Sequence, residues 1–141
     1  MSGFIEQKPV SWETLKRYHL NPPQTADELR RKKIIQMSYN LKRKMILSYS
    51  DYLLKTIFSV ETEEESIFRG YRITENLFPY NIEEGISHMI FWIYPGRTFS
   101  EREIIAIIER VYPNRGYVLF KHRENVRSNI GIEHYQLFIK K

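Results

Sequence analysis

Cysteine is absent from this chain of 141 residues, which excludes disulfide bridges and thiolate metal sites. No stretch approaches the roughly 18 consecutive apolar residues that a membrane-spanning helix needs, and residues 1–10 lack the apolar centre of a secretion signal. Alanine is scarce as well, with two residues against 18 isoleucines, a bias typical of AT-rich genomes such as those of large DNA viruses and some protists. We therefore expect a cytoplasmic protein, or a nuclear or virion protein, with no membrane partner.

Several motifs that would indicate a particular reaction are also missing. The chain has no phosphate loop of the Gly-x-x-x-x-Gly-Lys type, no Gly-x-Gly-x-x-Gly fingerprint, no Gly-x-Ser-x-Gly elbow and no His-Glu-x-x-His zinc motif. A metal site would have to combine His88, His134 and carboxylates, so we expect no metal and no cofactor. These absences leave open whether the protein is an enzyme.

Size and composition indicate a single globular domain. At 17.1 kDa, with 42% hydrophobic and 28% charged residues, the chain is long enough to bury one core. We divide residues 1–141 into a flexible start (1–10), a helical part (11–60) and a sheet part (61–141). The net charge of +5 comes from the first 60 residues, which contain 11 Lys and Arg against 5 Asp and Glu, whereas the rest of the chain contains 11 against 12.

Capping signals predict three helices. Ser11 is a suitable N-cap for a short first helix. Thr25–Glu28 has the pattern of a capping box, which would open a long helix that reaches about Leu54. Ser100–Glu103 is a second capping box, and the isoleucines that follow it give the third helix a wide apolar stripe before Pro113 ends it.

Four segments have the aromatic and β-branched content of strands. They are residues 67–73, 87–94, 117–122 and 133–139. Because the third helix joins the second and third strands, we expect these two strands to be parallel through a right-handed crossover, and the last two to be antiparallel. The predicted fold is α+β: a small mixed four-stranded sheet with a long N-terminal helix and a crossover helix packed on one face.

A polar and aromatic cluster in the C-terminal half is the candidate ligand site. Loop 76–85 follows the first strand, and a hairpin would bring its polar groups near the start of the second strand. His88 and Trp92 share one face of that strand, and Lys121 and His134 would meet where the last two strands pair. We assign acid or base chemistry to His88 and Glu75, and ligand contacts to Asn76, Tyr80, Trp92, Lys121, Asn125, Arg127, Ser128 and His134.

These residue types suit a phosphorylated sugar or a nucleotide-like ligand. Tyr80 and Trp92 would stack on a ring, and the amide and imidazole groups would form hydrogen bonds with it. Lys121 and Arg127 would neutralise a phosphate. A structural interpretation competes with each of these roles, since aromatic loop residues also fill cores and a lone strand histidine is often held by hydrogen bonds.

A basic stretch of the long helix supports a second hypothesis, a non-enzymatic interaction protein. Between Leu29 and Lys44 the chain has seven positive charges and no acidic residue, which would attract nucleic acid or an acidic protein such as a virion component. The seven residues are Arg30, Arg31, Lys32, Lys33, Lys42, Arg43 and Lys44. A solvated helix face is the ordinary explanation of such a charge run, and nothing in the sequence resembles a zinc finger, an RNA-recognition signature or a helix-turn-helix.

Several motifs, in order along the chain, resemble one known family. They are Trp12-Glu-Thr-Leu15 before the long helix, Glu75-Asn-Leu-Phe-Pro-Tyr80, Gly85-Ile-Ser-His88 with Trp92, and Arg127-Ser128 followed by Gly131-Ile-Glu-His134. Over residues 11–140 they are similar to the N-acetylglucosamine-induced protein family, known mainly from fungi. The resemblance implies a link to amino-sugar metabolism and a site at these motifs, without implying a reaction. Two departures are His134-Tyr-Gln136, where the family pattern is His-x-His, and Asn125-Val126 in place of an Asn-Pro turn.

Overall fold

A computed structural model of the chain describes residues 8–24, 28–45, 69–123 and 132–141, and only the backbone of residues 43–45. In chain order the elements are α1 (Trp12–Lys16), α2 (Lys33–Met45), β1 (Tyr71–Glu75), β2 (Ile86–Ile93), α3 (Glu101–Val111), β3 (Tyr117–Phe120) and β4 (His134–Lys140). The predicted α+β class and the four-stranded sheet are confirmed.

The four strands form one sheet in the order β1-β2-β4-β3. Every neighbouring pair is antiparallel, so the sheet is not mixed as predicted. β2 and β3 do run in the same direction, as a crossover through α3 requires. They are not neighbours, however, because β4 inserts between them and pairs with both.

One face of the sheet packs against α3. The predicted capping box is present: the Ser100 hydroxyl accepts from the Glu103 N–H at 3.1 Å, and the Glu103 carboxylate accepts from the Ser100 N–H at 2.9 Å. Ile104 and Ile108 of the apolar stripe are fully buried in the core, whereas Val111 at the end of the stripe is exposed. Each fully buried isoleucine contributes about 1.5–3 kcal/mol relative to an exposed one.

β2 shows the predicted alternation between the two faces. Phe91 and Ile93 belong to the core under α3, and Met89 packs at the edge of that core. His88 and Trp92 lie on the opposite face, where His88 stacks on Phe138 of β4.

The opposite face of the sheet is covered by the segment that contains α1. Ser11 caps α1 as predicted, because its hydroxyl accepts a backbone N–H of the first turn at 3.2 Å. Trp12 and Leu15 of α1 pack with Phe120 and Phe138. Helical segments therefore lie on both faces of the sheet, and not on one face as predicted, since this second face is also apolar and has to be buried.

The second helix starts later than its capping signal predicts. α2 begins at Lys33, and Glu28 of the predicted box lies in no α-helix. The Glu28 carboxylate instead accepts the backbone N–H of Gln24 at 2.6 Å. The other three residues of the box lie outside the described residues, as do residues 46–54 at the predicted end of the helix.

The apolar stripe predicted for the long helix is split in the structure. Ile34 and Leu41 are 70% and 60% exposed, whereas Tyr39 is buried. Tyr39 packs edge-to-face on Phe78 of the loop between β1 and β2, with ring centroids 5.2 Å apart. α2 thus contacts the loop through the side that carries Tyr39.

The start of the described chain is anchored. Val10 forms a parallel bridge with Ile82, although the sequence predicts a flexible segment over residues 1–10, of which 1–7 lie outside the described residues. β3 ends at Phe120, two residues before the predicted end. Within the described ranges, no helix has the length and apolar character that crossing a bilayer requires.

Candidate functional site

The loop that joins β1 and β2, residues 76–85, is fixed by main-chain hydrogen bonds to distant segments. The Val10 N–H donates to the Asn81 carbonyl at 2.8 Å, and the Glu83 N–H donates to the Val10 carbonyl at 2.9 Å. The Asn81 N–H donates to the Arg30 carbonyl at 2.7 Å. The loop is therefore tied both to Val10, just before α1, and to the segment before α2.

Asn76 turns the chain out of β1 and into the loop. Its Oδ1 accepts the Phe78 N–H at 2.8 Å, which is the side-chain-to-backbone bond of an Asx turn. Its own N–H donates to the His88 carbonyl at 2.9 Å. The predicted hairpin is confirmed by the antiparallel β1–β2 pair, and it brings Asn76 beside His88.

His88 is buried, with 6% of its surface exposed, and both of its ring nitrogens have protein partners. Nδ1 lies 3.1 Å from the Tyr80 N–H and accepts it, so the proton of the neutral ring is on Nε2. Nε2–H then donates to Oε1 of Gln136 at 2.6 Å. The amide nitrogen of Asn76, 3.4 Å from Nε2, is a neighbour and not a partner, because both groups are donors.

The surroundings of His88 keep its ring neutral. Burial lowers the pKa of His88 from 6.5 to about 3, because a charged ring would lose its hydration. Arg31 and His122 lower this pKa further, while the hydrogen bond to Gln136 opposes the shift. A general acid or base works best with a pKa near the working pH, so the geometry favours a structural role for His88.

Tyr80 is held by its ring and by its hydroxyl. Its ring centroid lies 4.7 Å from that of His88, and the Arg31 guanidinium lies 5.3 Å from the Tyr80 ring. Its hydroxyl oxygen lies 2.6 Å from Nε2 of His122. Burial raises the pKa of Tyr80 to about 12, so the hydroxyl keeps its proton and can donate it to His122. Tyr80 thus packs with protein groups through both its ring and its hydroxyl.

Arg31 fastens the loop to the start of α2. Its Nε donates to the Phe78 carbonyl at 2.5 Å, and its Nη1 donates to Oε1 of Gln36 at 3.2 Å. Its guanidinium also lies 4.2 Å above the Tyr39 ring, within the range of a cation–π interaction. Arg31 was predicted for a nucleic-acid surface, but its donors are directed into the protein.

An open cavity of about 430 Å³ lies beside the loop. This volume falls in the range of roughly 300–1,000 Å³ that small-molecule sites occupy. The cavity is lined by Lys32, Ile35, Glu75, Asn76, Pro79, Tyr80, Asn81, Ile82, Ile86, Ser87, His88, Met89 and Lys141. Four predicted site residues therefore meet at one cavity: Glu75, Asn76, Tyr80 and His88.

The first residues of β2 form one wall of the cavity because β1 ends before them. The last β1 residue, Glu75, pairs with Met89. The His88 carbonyl accepts from Asn76, so the main-chain groups of His88 point toward the β1 side. Alternation along an antiparallel strand then directs the N–H and C=O of Ile86 to the same side, which is the side of the cavity.

Trp92 and His134 share a sheet face with His88 but do not line the cavity. Their rings contact each other, with centroids 5.0 Å apart, and Nε1 of Trp92 donates to Oγ1 of Thr74 at 2.8 Å. Trp92 follows His88 by four residues, which separates them by about 13 Å along a strand. The predicted stacking of Trp92 on the same ligand is therefore not supported by the geometry.

Lys121 lies on the other face of the sheet and does not reach the cavity. Its ammonium forms an ion pair with Glu133 and lies 5.8 Å from the ring of Tyr135, a residue of the core under α3. Strand alternation is the reason, because His122 points toward Tyr80 and its neighbour must point away. Three further predicted ligand residues, Asn125, Arg127 and Ser128, lie outside the described residues.

The basic residues of the second hypothesis occupy different environments. Arg30 and Arg31 precede α2, and Lys32 lines the cavity. Lys33 and Lys42 lie on α2, where Lys42 is half-buried. The side chains of Arg43 and Lys44 are not among those described. A phosphate-binding stripe on α2 would therefore rest on fewer residues than the sequence suggests.

Three residues that line the cavity, or that hold its lining residues in place, were not predicted as ligand residues of this site. Gln136 and His122 hold His88 and Tyr80 in place, and Lys32 supplies a cation at the lining. The first two carry a sequence signal, since each is a polar residue in line with the inward-facing aromatics of its strand. In the part of the chain that the structure describes, no three His, Asp or Glu side chains are grouped to hold a metal ion.

Comparisons with known proteins identify the family but no reaction. Among curated proteins no match is found. Among solved structures, the chain is similar to one described as "Crystal Structure of HTC1", with 18% sequence identity and a TM-score of 0.59, over 94% of this chain and 85% of that chain. A likeness at this identity concerns the fold alone. The sequence also matches the family DUF3605, described as a protein of unknown function, over residues 11–140, and the chain therefore belongs to that family.

Proposed function

We propose that this protein is a small intracellular domain that binds a phosphorylated sugar or a nucleotide-like molecule in the cavity beside loop 76–85. The observation that carries the proposal is the cavity itself, which joins Asn76, Tyr80 and His88 of the predicted cluster with Lys32. Turnover is not part of the proposal. The motifs that resemble the N-acetylglucosamine-induced family make amino-sugar phosphates suitable first probes.

Lys32 gives the cavity an anion-binding character. Its carbonyl accepts the Gln36 N–H at 2.9 Å, so Lys32 is the residue that precedes the first turn of α2. That turn contains no acidic residue. The ammonium of Lys32 and the positive end of the helix dipole therefore act on the same region, which favours a phosphate there. Lys32 takes the role that the sequence assigned to Lys121.

The cavity wall is formed before a ligand arrives. Loop 76–85 is bonded to Val10, Arg30 and Arg31, and its Tyr80 N–H is bonded to His88. A wall that is already ordered loses little conformational entropy on binding, which improves the affinity for a given set of contacts.

Isothermal titration calorimetry with glucosamine 6-phosphate and with adenosine monophosphate tests the proposal. For any probe that the wild type binds, we expect Lys32→Ala to lower the affinity by about tenfold, which is equivalent to about 1.4 kcal/mol. Lys33→Ala is the matched control, because Lys33 is the exposed neighbour, loses the same charge and does not line the cavity. Its affinity should stay within about twofold of the wild type.

Two results would count against the cavity. One is an absence of binding by the wild type to any phosphorylated probe. The other is an equal loss in Lys32→Ala and Lys33→Ala, which would indicate that the charges near α2 act together on phosphate, as the nucleic-acid hypothesis requires. In that second case binding of a single-stranded RNA should fall steeply with salt.

A further inference from the structure

Five of the thirteen residues that line the cavity have apolar side chains. They include Ile35 from α2, Pro79 and Ile82 from the loop, and Ile86 from β2. A hydroxyl pressed against such side chains loses its water without gaining a partner. A hexose carries hydroxyls around its ring, whereas a nucleobase has two flat faces without hydrogen-bonding groups. This apolar part of the lining therefore suits the faces of a base better than those of a sugar.

Two polar side chains of the wall, those of Asn76 and His88, are already engaged. Asn76 Oδ1 accepts the Phe78 N–H, and both ring nitrogens of His88 have partners in Tyr80 and Gln136. These groups cannot also satisfy several ring hydroxyls of a sugar without breaking the bonds that hold the loop. Asn76 and His88 are therefore poor partners for the hydroxyls of a polyhydroxylated ring.

The main chain of β2 offers the hydrogen-bonding pattern that a base edge needs. The N–H and C=O of Ile86 point to the cavity side of the strand, one as a donor and one as an acceptor. The edge of a nucleobase likewise presents donors and acceptors side by side, such as the amino group and ring nitrogen of adenine. One strand residue can therefore bond with a base in its plane while the aliphatic side chains pack on its faces.

We infer that the ligand class of this cavity is a nucleoside monophosphate, with the base between the aliphatic walls and the phosphate at Lys32. This inference rests on the proposed function and narrows it from phosphorylated small molecules to one class. The lining carries the cationic side chains of Lys32 and Lys141 against the carboxylate side chain of Glu75, a balance of side-chain charge that favours an anionic group.

Calorimetric titration of the full chain with the four common nucleoside 5′-monophosphates, glucose 6-phosphate, glucosamine 6-phosphate and inorganic phosphate tests this inference. At least one nucleoside monophosphate should bind ten times more tightly than either sugar phosphate. Ile35→Trp, which fills the cavity from α2, should abolish that binding. Ile34→Trp is the matched control, because Ile34 is 70% exposed and does not line the cavity, and it should bind as the wild type does.

The outcomes distinguish a wrong ligand class from a wrong proposed function. A sugar phosphate that binds as tightly as every nucleoside monophosphate, with Lys32→Ala weakening it, would overturn the choice of ligand and leave the proposed function standing. If none of the phosphorylated probes binds, the inferred ligand class and the proposed function are both overturned. If Ile35→Trp and Ile34→Trp, each shown by circular dichroism to be folded, bind the nucleotide equally well, the base does not enter this cavity and the inference is overturned.

Discussion

Burying His88 in its neutral form should make the folded protein sensitive to mild acid. The pKa of His88 is about 3 in the folded protein and 6.5 when the ring is exposed. Between these values the unfolded chain binds a proton that the folded chain rejects, so the contribution of His88 to stability is fully present above pH 6.5 and decreases as the pH falls toward 3. Protonating the ring in place would set Nδ1–H against the Tyr80 N–H and add a charge near Arg31 and His122.

The size of the effect follows from the two pKa values. Each pH unit between them lowers the free energy of unfolding by about 1.4 kcal/mol. Acidification from about pH 7.5 to about pH 5.0 should therefore cost about 2 kcal/mol through His88 alone. Domains of this size are stable by about 5–15 kcal/mol, so the loss is readily measured.

Urea denaturation of the wild type and of His88→Gln at both pH values measures the contribution. Glutamine can still accept the Tyr80 N–H and donate to Gln136, but it does not titrate. We expect the loss on acidification to be smaller by about 2 kcal/mol in His88→Gln than in the wild type, whatever the stability of the variant at neutral pH. The reasoning would be refuted if both proteins lost the same stability.

His19 provides a control for this measurement. Its Nδ1 also accepts a backbone N–H, from Leu119 at 3.0 Å, and burial lowers the pKa of His19 as well. The His19 ring is only half-buried, however, so water can hydrate its charged form more easily. His19→Gln should therefore change the acid sensitivity less than His88→Gln does.

Three further predictions concern stability and the limits of the site, and urea denaturation checks each of them. Ser100→Ala removes the cap of α3 and should cost about 1 kcal/mol, and an unchanged midpoint would contradict the capping box. Leu137→Ala opens a hole in the core under α3 and should cost about 2–5 kcal/mol, whereas Leu77→Ala, in an exposed loop position, should stay within about 0.5 kcal/mol. Trp92→Phe breaks the bond to Thr74 and should cost about 1 kcal/mol, yet leave calorimetric binding of any phosphorylated probe unchanged, because Trp92 lies outside the cavity.

Local features of the fold could be predicted from the sequence because their causes are local. The box at Ser100 and Glu103 depends on two side chains three residues apart. The two faces of β2 follow from the alternation of a single strand, with Phe91 in the core and His88 opposite it. The hairpin that brings Asn76 to His88 needed only a loop between adjacent strands.

Features set by distant parts of the chain were not predictable in the same way. The place of β4 between β2 and β3 depends on pairings far apart in the sequence, and it decides that the sheet is antiparallel. The face on which Lys121 lies depends on the register in which β3 pairs with β4, since that register decides which β3 residues point to each face. The role proposed for Lys32 depends on α2 starting at Lys33, where no strong capping residue marks the boundary in the sequence.

The contacts that keep His88 neutral also hold the loop against the cavity, so acid stability and the proposed ligand binding depend on the same bonds. The Tyr80 N–H bond to His88 has to break when the ring is protonated, and Tyr80 lines the cavity. A ligand that binds only the folded cavity adds about 2.7 kcal/mol at a hundred times its Kd, which exceeds the loss of about 2 kcal/mol expected from His88 at pH 5. Saturating ligand should therefore move the acid transition to lower pH. We therefore expect His88 to act on this site by positioning Tyr80, whose N–H it accepts.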